Sequence, residues 1–370
     1  MLEYKELSYR KERADVRFVH CADLHLDTPF SGLGDAAKAA VRQAELRQTL
    51  LRIVEKARGA DALLIAGDLF DQASVETETL RVLRRGFASL GDTRVLIAAG
   101  NHDPLTETSY YKLAGFSPNV YIFGKEPSCV TVADCDVWGI SFSGAAQEDS
   151  LLTDALTPRD SRPSVLLMHG NLGGDDYNPI NREQIGRSGF LYAALGHVHN
   201  YSSERIGKTL CVYPGCPEGR GFDEPEDKGI VWGEVTENGA SAEFEPVCKR
   251  RYRELTVDVS GLVTHEEIRE KIEAYKLSET DLYKIILTGE TVLLPDVHVL
   301  SEMLTQPFFV KVYDRTRRPL QIEKLVQEGG LRGSFAEKLM PGLSGSDAGK
   351  YRLALEYGLA AINGEKVKGL

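Results

Sequence analysis

The 370-residue sequence contains no Cys-x-x-Cys pair. Its six cysteines, Cys21, Cys129, Cys135, Cys211, Cys216 and Cys248, are scattered along the chain. That excludes zinc-ribbon and thioredoxin motifs and predicts free thiols in a reducing compartment. No apolar run approaches the length of a membrane span. The opening stretch, MLEYKELSYRKERADVR, lacks the apolar core of a secretory signal, so a cytoplasmic location is expected. Internal repeats and low-complexity tracts are absent. So is any excess of positive charge: the formal net charge is -11, which excludes a grip on nucleic acid by bulk positive field. Local basic patches, or a partner that supplies the grip, stay compatible with it.

What is present is ordinary globular material, 42% hydrophobic and 27% charged, with chain enough for two domains at about 100–200 residues each. Strands expected at 16–22, 62–67 and 94–99 alternate with helices at 35–58 and 74–90, which means a parallel half-sheet. The first helix carries Val41, Leu46, Leu50, Ile53, Val54 and Ala57 at helical spacing, with Gly59 just past its end. Ser74 and Gly91 are the expected cap and stop of the second. Short strands at 120–124, 128–133 and 136–141 read as antiparallel, and a polar helix is expected near 147–156. Apolar strands follow at 164–168, 190–195, 209–213 and 229–235. Beyond Pro246, a basic run at 249–253 precedes a β-α-β unit (255–259, 265–275, 283–288) and a strand at 308–314. A second basic run, 315–318, and an amphipathic helix over 348–363 complete the chain. Both basic runs read as solvated faces rather than DNA contacts.

The chemistry gathers at strand ends. The run Leu63-Leu64-Ile65-Ala66 passes straight into Gly67-Asp68. That is a buried central strand with a carboxylate at its carboxyl end, where open α/β sheets place ligands. Four more segments share the form: His20-Cys21-Ala22-Asp23-Leu24-His25, Gly100-Asn101-His102-Asp103, Met168-His169-Gly170-Asn171 and Gly196-His197-Val198-His199. Together they offer Asp23, His25, Asp68, Asn101, His169, His197 and His199, N/O donors suited to Mn²⁺, Fe²⁺ or Zn²⁺. Asp23 with His25, and His197 with His199, are alternate residues on extended backbone, so both members of each pair can reach one locus. A carboxylate shared by two cations roughly 3.5–4 Å apart suits in-line attack on phosphorus, and Asp68 is expected to be that bridge. Two dications set against Asp23, Asp68 and a hydroxide leave the site positive, as a phosphodiester requires. His102, not needed as a ligand, is free to orient the phosphate and protonate the leaving oxygen, with Asp103 expected to hold its ring. His20 reads as a structural residue pointing into the sheet, and His265 and His298 lie outside the pattern. Asp71 is open between a turn or capping residue and a site residue.

Taken in order, these motifs resemble the calcineurin-like metallophosphoesterases: Asp23-Leu24-His25, Gly67-Asp68, Gly100-Asn101-His102-Asp103, His169 and Gly196-His197-Val198-His199 match position by position. The resemblance implies a two-sheet β-sandwich flanked by helices, a four-layer αββα arrangement, followed by a small α+β capping domain. It divides the chain into a charged extension (1–15), a catalytic domain (16–247), a cap (248–335) and a tail with one amphipathic helix (336–370). It also implies one metal on Asp23, His25, Asp68 and His199, and a second on Asp68, Asn101, His169 and His197. The stretches ADLHLDTPFSGL, GDLFD, YAALGHVH and YPGCPEGRGFDEPEDKG are similar to the bacterial DNA-repair exonuclease branch, most narrowly the YhaO-type exonucleases. Two departures stand out: Cys216 where relatives of that branch carry Ser, and Asp71 where its eukaryotic relatives carry His.

The function expected is a two-metal-dependent DNA exonuclease or phosphodiesterase acting in DNA repair through metal-activated hydroxide. Mn is the first choice of metal, with Fe or Zn acceptable. The partners expected are DNA, a coiled-coil ATPase and a second copy of the chain, with no membrane. One alternative is a phosphoesterase for nucleotides or other small phosphorylated molecules, which the acidic charge favours. Another is a non-catalytic interaction module, which the complete ligand set disfavours.

Overall fold

The computed structural model describes residues 15–71, 75–158, 162–319 and 321–364, so the expected cap Ser74 and nearly all of the 1–15 extension lie outside the described residues. The elements, in order, are β1 (Val16–Cys21), α1 (Ala36–Lys56), β2 (Ala62–Ala66), α2 (Thr77–Ala88), β3 (Arg94–Ala98), α3 (Tyr110–Leu113), β4 (Val120–Ile122), β5 (Ser128–Val132), β6 (Cys135–Gly139) and β7 (Ser164–His169). Then come β8 (Asn171–Leu172), β9 (Pro179–Ile180), α4 (Arg182–Arg187), β10 (Tyr192–Gly196), β11 (Ser202–Ile206), β12 (Thr209–Tyr213), β13 (Gly229–Thr236) and β14 (Gly239–Pro246). The rest is β15 (Tyr252–Asp258), α5 (His265–Glu273), β16 (Leu282–Thr288), α6 (Val297–Met303), β17 (Phe309–Asp314), α7 (Ile322–Glu328), α8 (Gly330–Leu339) and α9 (Ala348–Asn363).

Two six-stranded sheets form the scaffold, in the orders β14-β13-β1-β2-β3-β4 and β11-β12-β10-β7-β6-β5. Their inner faces meet in a core of Phe18, Leu64, Leu96, Val137, Val165, Leu167, Tyr192, Ala194 and Val212. Alternate residues point outward, as the two-residue period of a strand demands. Val19, Leu63, Ile65, Val95 and Ile97 pack on Leu46, Leu50, Ile53 and Val54 of α1 and Leu83 and Phe87 of α2. On the far side, Leu166, Met168, Ala193 and Leu195 pack on Ile185 of α4 and on Leu152, Leu156 and Phe190. The helix-flanked two-sheet sandwich is thus the observed architecture. α1 starts where its cap predicts: the Asp35 carboxylate accepts the Ala37 and Lys38 N–H groups. α2 starts at Thr77, and its first turn is tied down from outside, with Asp27 accepting the Glu76 N–H at 2.9 Å and the Thr79 hydroxyl at 2.6 Å.

Two local expectations fail. β4 pairs parallel to β3, Val95 opposite Val120, because the chain crosses back through the single turn of α3, too short to show a helical period. Residues 147–156 form no helix. The Asn178 side chain takes the Leu151 N–H, and Gln184 donates to the Leu152 carbonyl, so this backbone is satisfied from outside. The edge strands β11 and β14, and helices α6, α7 and α8, went unread.

The chain divides into two compact units. The first runs to Leu255 and takes in Leu277–Ile285 and Thr305–Lys311; the second comprises Thr256–Lys276, Ile286–Leu304 and the chain from Val312. β15, β16 and β17 form a sheet in that order. In the second unit, α5 opens with a capping box of Thr264 and Glu267. Helices α7 to α9 close on Leu325, Ala336, Leu355 and Leu359. No helix among the described residues is long and apolar enough to cross a membrane.

Candidate metal centre

Five parallel strand ends bring the motifs together: β1, β2 and β3 adjoin in one sheet, β7 and β10 in the other. The two edges approach so closely that only glycine is tolerated. A Cβ on Gly67 would lie 2.3 Å from His169 Nδ1, and one on Gly196 would lie 1.9 Å from the Ala66 carbonyl oxygen. Past the strand ends the backbone turns sharply: Asp23, His25, Asp68 and His197 all have positive φ (52°, 43°, 50° and 106°). Left-handed backbone costs a non-glycine residue on the order of 1–3 kcal/mol, and it clusters where side chains must be aimed.

The aim is common to seven residues. Asp68 Oδ2 lies 3.7 Å from His25 Nε2 and 3.5 Å from His169 Nε2, while its Oδ1 accepts the His102 N–H at 2.9 Å. His25 Nε2 is 3.3 Å from His199 Nε2, and that atom is 3.9 Å from Asp23 Oδ1. His169 Nε2 is 2.9 Å from Asn101 Oδ1. The His197 ring stands 5.3 Å from the His169 ring, centre to centre, and the His197 backbone N–H donates to Asp23. Donor atoms about 2.1 Å from one cation, at 90–110° to each other, stand roughly 3.0–3.4 Å apart. The observed separations bracket that range.

Proton accounting tests whether this donor set suits a cation. The Ala66 carbonyl can only accept, so His169 Nδ1, 2.9 Å away, carries the proton and Nε2 offers its lone pair. That lone pair faces the carbonyl oxygen of Asn101, acceptor against acceptor. His199 Nδ1 lies between Glu224 Oε1 at 2.7 Å, which accepts, and Arg220 NH2 at 3.0 Å, which donates, and its Nε2 faces His25 Nε2. Burial pushes His25 and His197 down to about 4, which keeps them uncharged. His199 is half-buried, which works to lower it, yet Glu224 and Asp23 hold it above its usual value. Burial pushes Asp23 up to about 6. For Asp68, burial works upward, but the neighbouring His169 and His25 imidazoles and the hydrogen bond from the His102 N–H outweigh it and hold it below the usual carboxylate range. The His169 lone pair set against the Asn101 carbonyl oxygen, beside two carboxylates and further imidazoles, fits divalent cations.

The two remaining site candidates part company. His102 turns its ring outward, with 43% of the side chain exposed, and Nδ1 is 3.0 Å from the Asp71 carbonyl oxygen. Asp103 does not hold that ring. Its oxygens accept the Gly100 N–H (2.8 Å), the Phe70 N–H (3.1 Å) and the Tyr111 hydroxyl (2.5 Å), so it ties the Asp68 loop to the Asn101 loop. Burial and the charge of Asp68 push it up to about 6. His20 is buried against the Tyr192 hydroxyl at 3.1 Å, as a structural residue should be.

Three further residues stand at the site that the motifs did not assign to it. Asp71 Oδ1 lies 3.0 Å from His25 Nδ1, close but off the line of a hydrogen bond. Glu224 holds His199, and Arg220 contacts both carboxylates, at 3.2 Å from Asp71 and 3.0 Å from Glu224. The only signal was that Arg220 and Glu224 fall inside the YPGCPEGRGFDEPEDKG stretch.

Such a centre at the tips of two packed sheets is a phosphoesterase arrangement. Residues 16–201 match the calcineurin-like phosphoesterase family, and the chain belongs to it. Among its relatives, the uncharacterized metallophosphoesterase YhaO of Bacillus subtilis (strain 168) is 28% identical over 262 residues, 66% of this chain and 64% of that protein. The DNA double-strand break repair protein Mre11 of Methanopyrus kandleri is 27% identical over 357 residues, 87% of this chain and 78% of that one. The SbcD component of the SbcCD nuclease of Bacillus subtilis is 23% identical over 254 residues, 56% of this chain and 63% of that one. The chain thus spans less than two thirds of the length of YhaO.

Proposed function

We propose that this protein is a two-metal phosphodiesterase that degrades DNA from an end, as part of DNA repair, with Mn²⁺ as its first metal. The observation that carries this reading is the position of Asp68 Oδ2, facing His25 on one side and His169 on the other. One cation would take Asp23, His25, Asp68 and His199; the other would take Asp68, Asn101, His169 and His197. Bound there, the cations supply an activated water and counter the phosphate charge. The chain's own groups do the rest. Asp68 is fixed by the His102 N–H, Asn101 is fixed through Asp103, and His102 keeps Nε2 for the leaving oxygen because Nδ1 is engaged by the Asp71 carbonyl.

DNA as substrate is supported by likeness to relatives named as a double-strand break repair protein and a nuclease. A coiled-coil ATPase partner and a second copy of the chain belong to the same reading. The net charge of -11 favours a rival, a phosphoesterase for nucleotides or other small molecules. Mn²⁺-loaded protein should be assayed on single-stranded DNA, on duplex ends and on bis(p-nitrophenyl) phosphate. Shortening of DNA from its ends is expected. Turnover of the bis-ester with every DNA inert removes the nuclease reading. Asp68→Asn should weaken both ions together, by at least about tenfold. Elemental analysis that finds one ion at full occupancy would count against a shared carboxylate.

A further inference from the structure

We propose that Arg220 is a positioning residue that governs one of the two metal positions and leaves the other alone. The inference rests on the ligand division given above. The two positions are backed differently. His169 is held at Nδ1 by the Ala66 carbonyl, part of the β2 backbone, which no side chain can alter. His25 and His199, the two imidazoles of the other position, meet carboxylates at Nδ1: Asp71 Oδ1 at 3.0 Å and Glu224 Oε1 at 2.7 Å. Those carboxylates come from loops far apart in the chain, and Arg220, 149 residues beyond Asp71, spans them. Its NH1 donates to Asp71 Oδ1 at 3.2 Å and its NH2 to Glu224 Oε1 at 3.0 Å, and that NH2 also lies 3.0 Å from His199 Nδ1.

The arginine arrives prepositioned. Its N–H donates to Glu224 Oε2 at 2.8 Å, and its carbonyl accepts the Tyr252 hydroxyl at 3.1 Å. Just before it in the same loop, Glu218 Oε2 and the Gly219 carbonyl both accept from Arg42 of α1 at 3.0 Å. Thr49 adds a hydrogen bond to Glu218 Oε1 at 2.7 Å. With one nitrogen on each carboxylate, the planar fork fixes their separation, which an ammonium or an amide cannot do. Asp71 is one jaw of a clamp around an imidazole pair. Partners one step behind metal ligands commonly change affinity by about 10–100-fold when removed.

The test is Mn²⁺ titration of wild type, Arg220→Met and Glu224→Gln, followed by calorimetry and by electron paramagnetic resonance. Wild type should bind two ions and show the multiline signal of a coupled pair. Arg220→Met should keep one ion at wild-type affinity and lose the second by tenfold or more, with the six-line signal of an isolated Mn²⁺ at equal loading. Glu224→Gln should follow the same pattern, and it decides the matter if Arg220→Met does not fold. If wild type takes fewer than two ions, the ligand division and the role of Arg220 fall together. If wild type takes two and both variants take two at unchanged affinity, the clamp alone is overturned. Unchanged binding with lost turnover would move Arg220 to substrate contact, and that too overturns the proposal.

Discussion

His102 donates its backbone N–H to Asp68 and turns its ring to solvent, so its two ends serve different purposes. Replacement by alanine removes the ring and keeps the amide. His102→Ala is therefore expected to retain both metals and lose about 10²–10⁴ in turnover, the usual share of a general acid. Elemental analysis paired with steady-state rates reads both; full activity would reassign the ring. At this scale the seven candidate ligands were legible, because each follows an apolar run that had to be a strand. The partner of His102 was not. Asp103 is its neighbour in sequence, but the turn aims that carboxylate at Gly100, Phe70 and Tyr111. The ring instead finds the carbonyl of Asp71, 31 residues earlier.

Among elements, α1 carries more than its apolar stripe. Its buried Arg42 and Glu45 meet the basic run at 249–253, which read as a solvated face. Arg250 is in fact buried, donating Nε to Glu45 Oε2 at 2.9 Å and NH2 to Oε1 at 2.7 Å. Arg42 adds a third hydrogen bond at 2.7 Å. Burial works to raise the Glu45 carboxyl, but Arg250 and Arg42 outweigh it and bring it to about 2, from 4.5. A depressed folded value means stability that is complete above pH 4.5 and drains away as the pH falls toward 2. Urea midpoints of wild type should decline over that window. Glu45→Gln should start lower, by on the order of 3–5 kcal/mol at neutral pH, because the buried Arg250 loses its carboxylate partner and Arg42 keeps only Glu218. Its profile should be flatter below pH 4.5. An identical slope in both proteins would show that other carboxylates set the acid limit. The partners are 205 residues apart, which is why no local pattern could have disclosed the pair.

For the whole molecule, the centre lies where the edges of two sheets meet, with candidate ligands contributed by both. Cations that bind only the folded chain stabilise it by about 2.7 kcal/mol at a hundredfold excess over Kd. With about 2.1 cal/mol/K of unfolding entropy per residue, a chain of 370 residues shifts by roughly 1.3 °C per kcal/mol, so chelation should lower the melting temperature by about 3–4 °C. Restoring Mn²⁺ should recover it. The gain should shrink as pH falls through about 6, where burial places the Asp23 carboxyl, since a ligand must shed its proton before it binds. Scanning calorimetry with and without chelator, at roughly pH 7.5 and pH 5, checks both. A chelator that leaves the melting temperature unmoved at either pH would mean that the loops hold their shape without ions.

Sequence alone determined the strands and singled out seven candidate donors beyond their ends, since hydrophobic period and chain direction are local properties. It also bounded the charge and the thiol chemistry. Only the folded chain decided how those donors face one another, that Asp103 braces loops rather than a ring, and that Asp71, Arg220 and Glu224 stand behind the imidazoles. Those outcomes depend on residues brought into contact from distant parts of the chain, and no periodicity in a linear sequence encodes such a meeting.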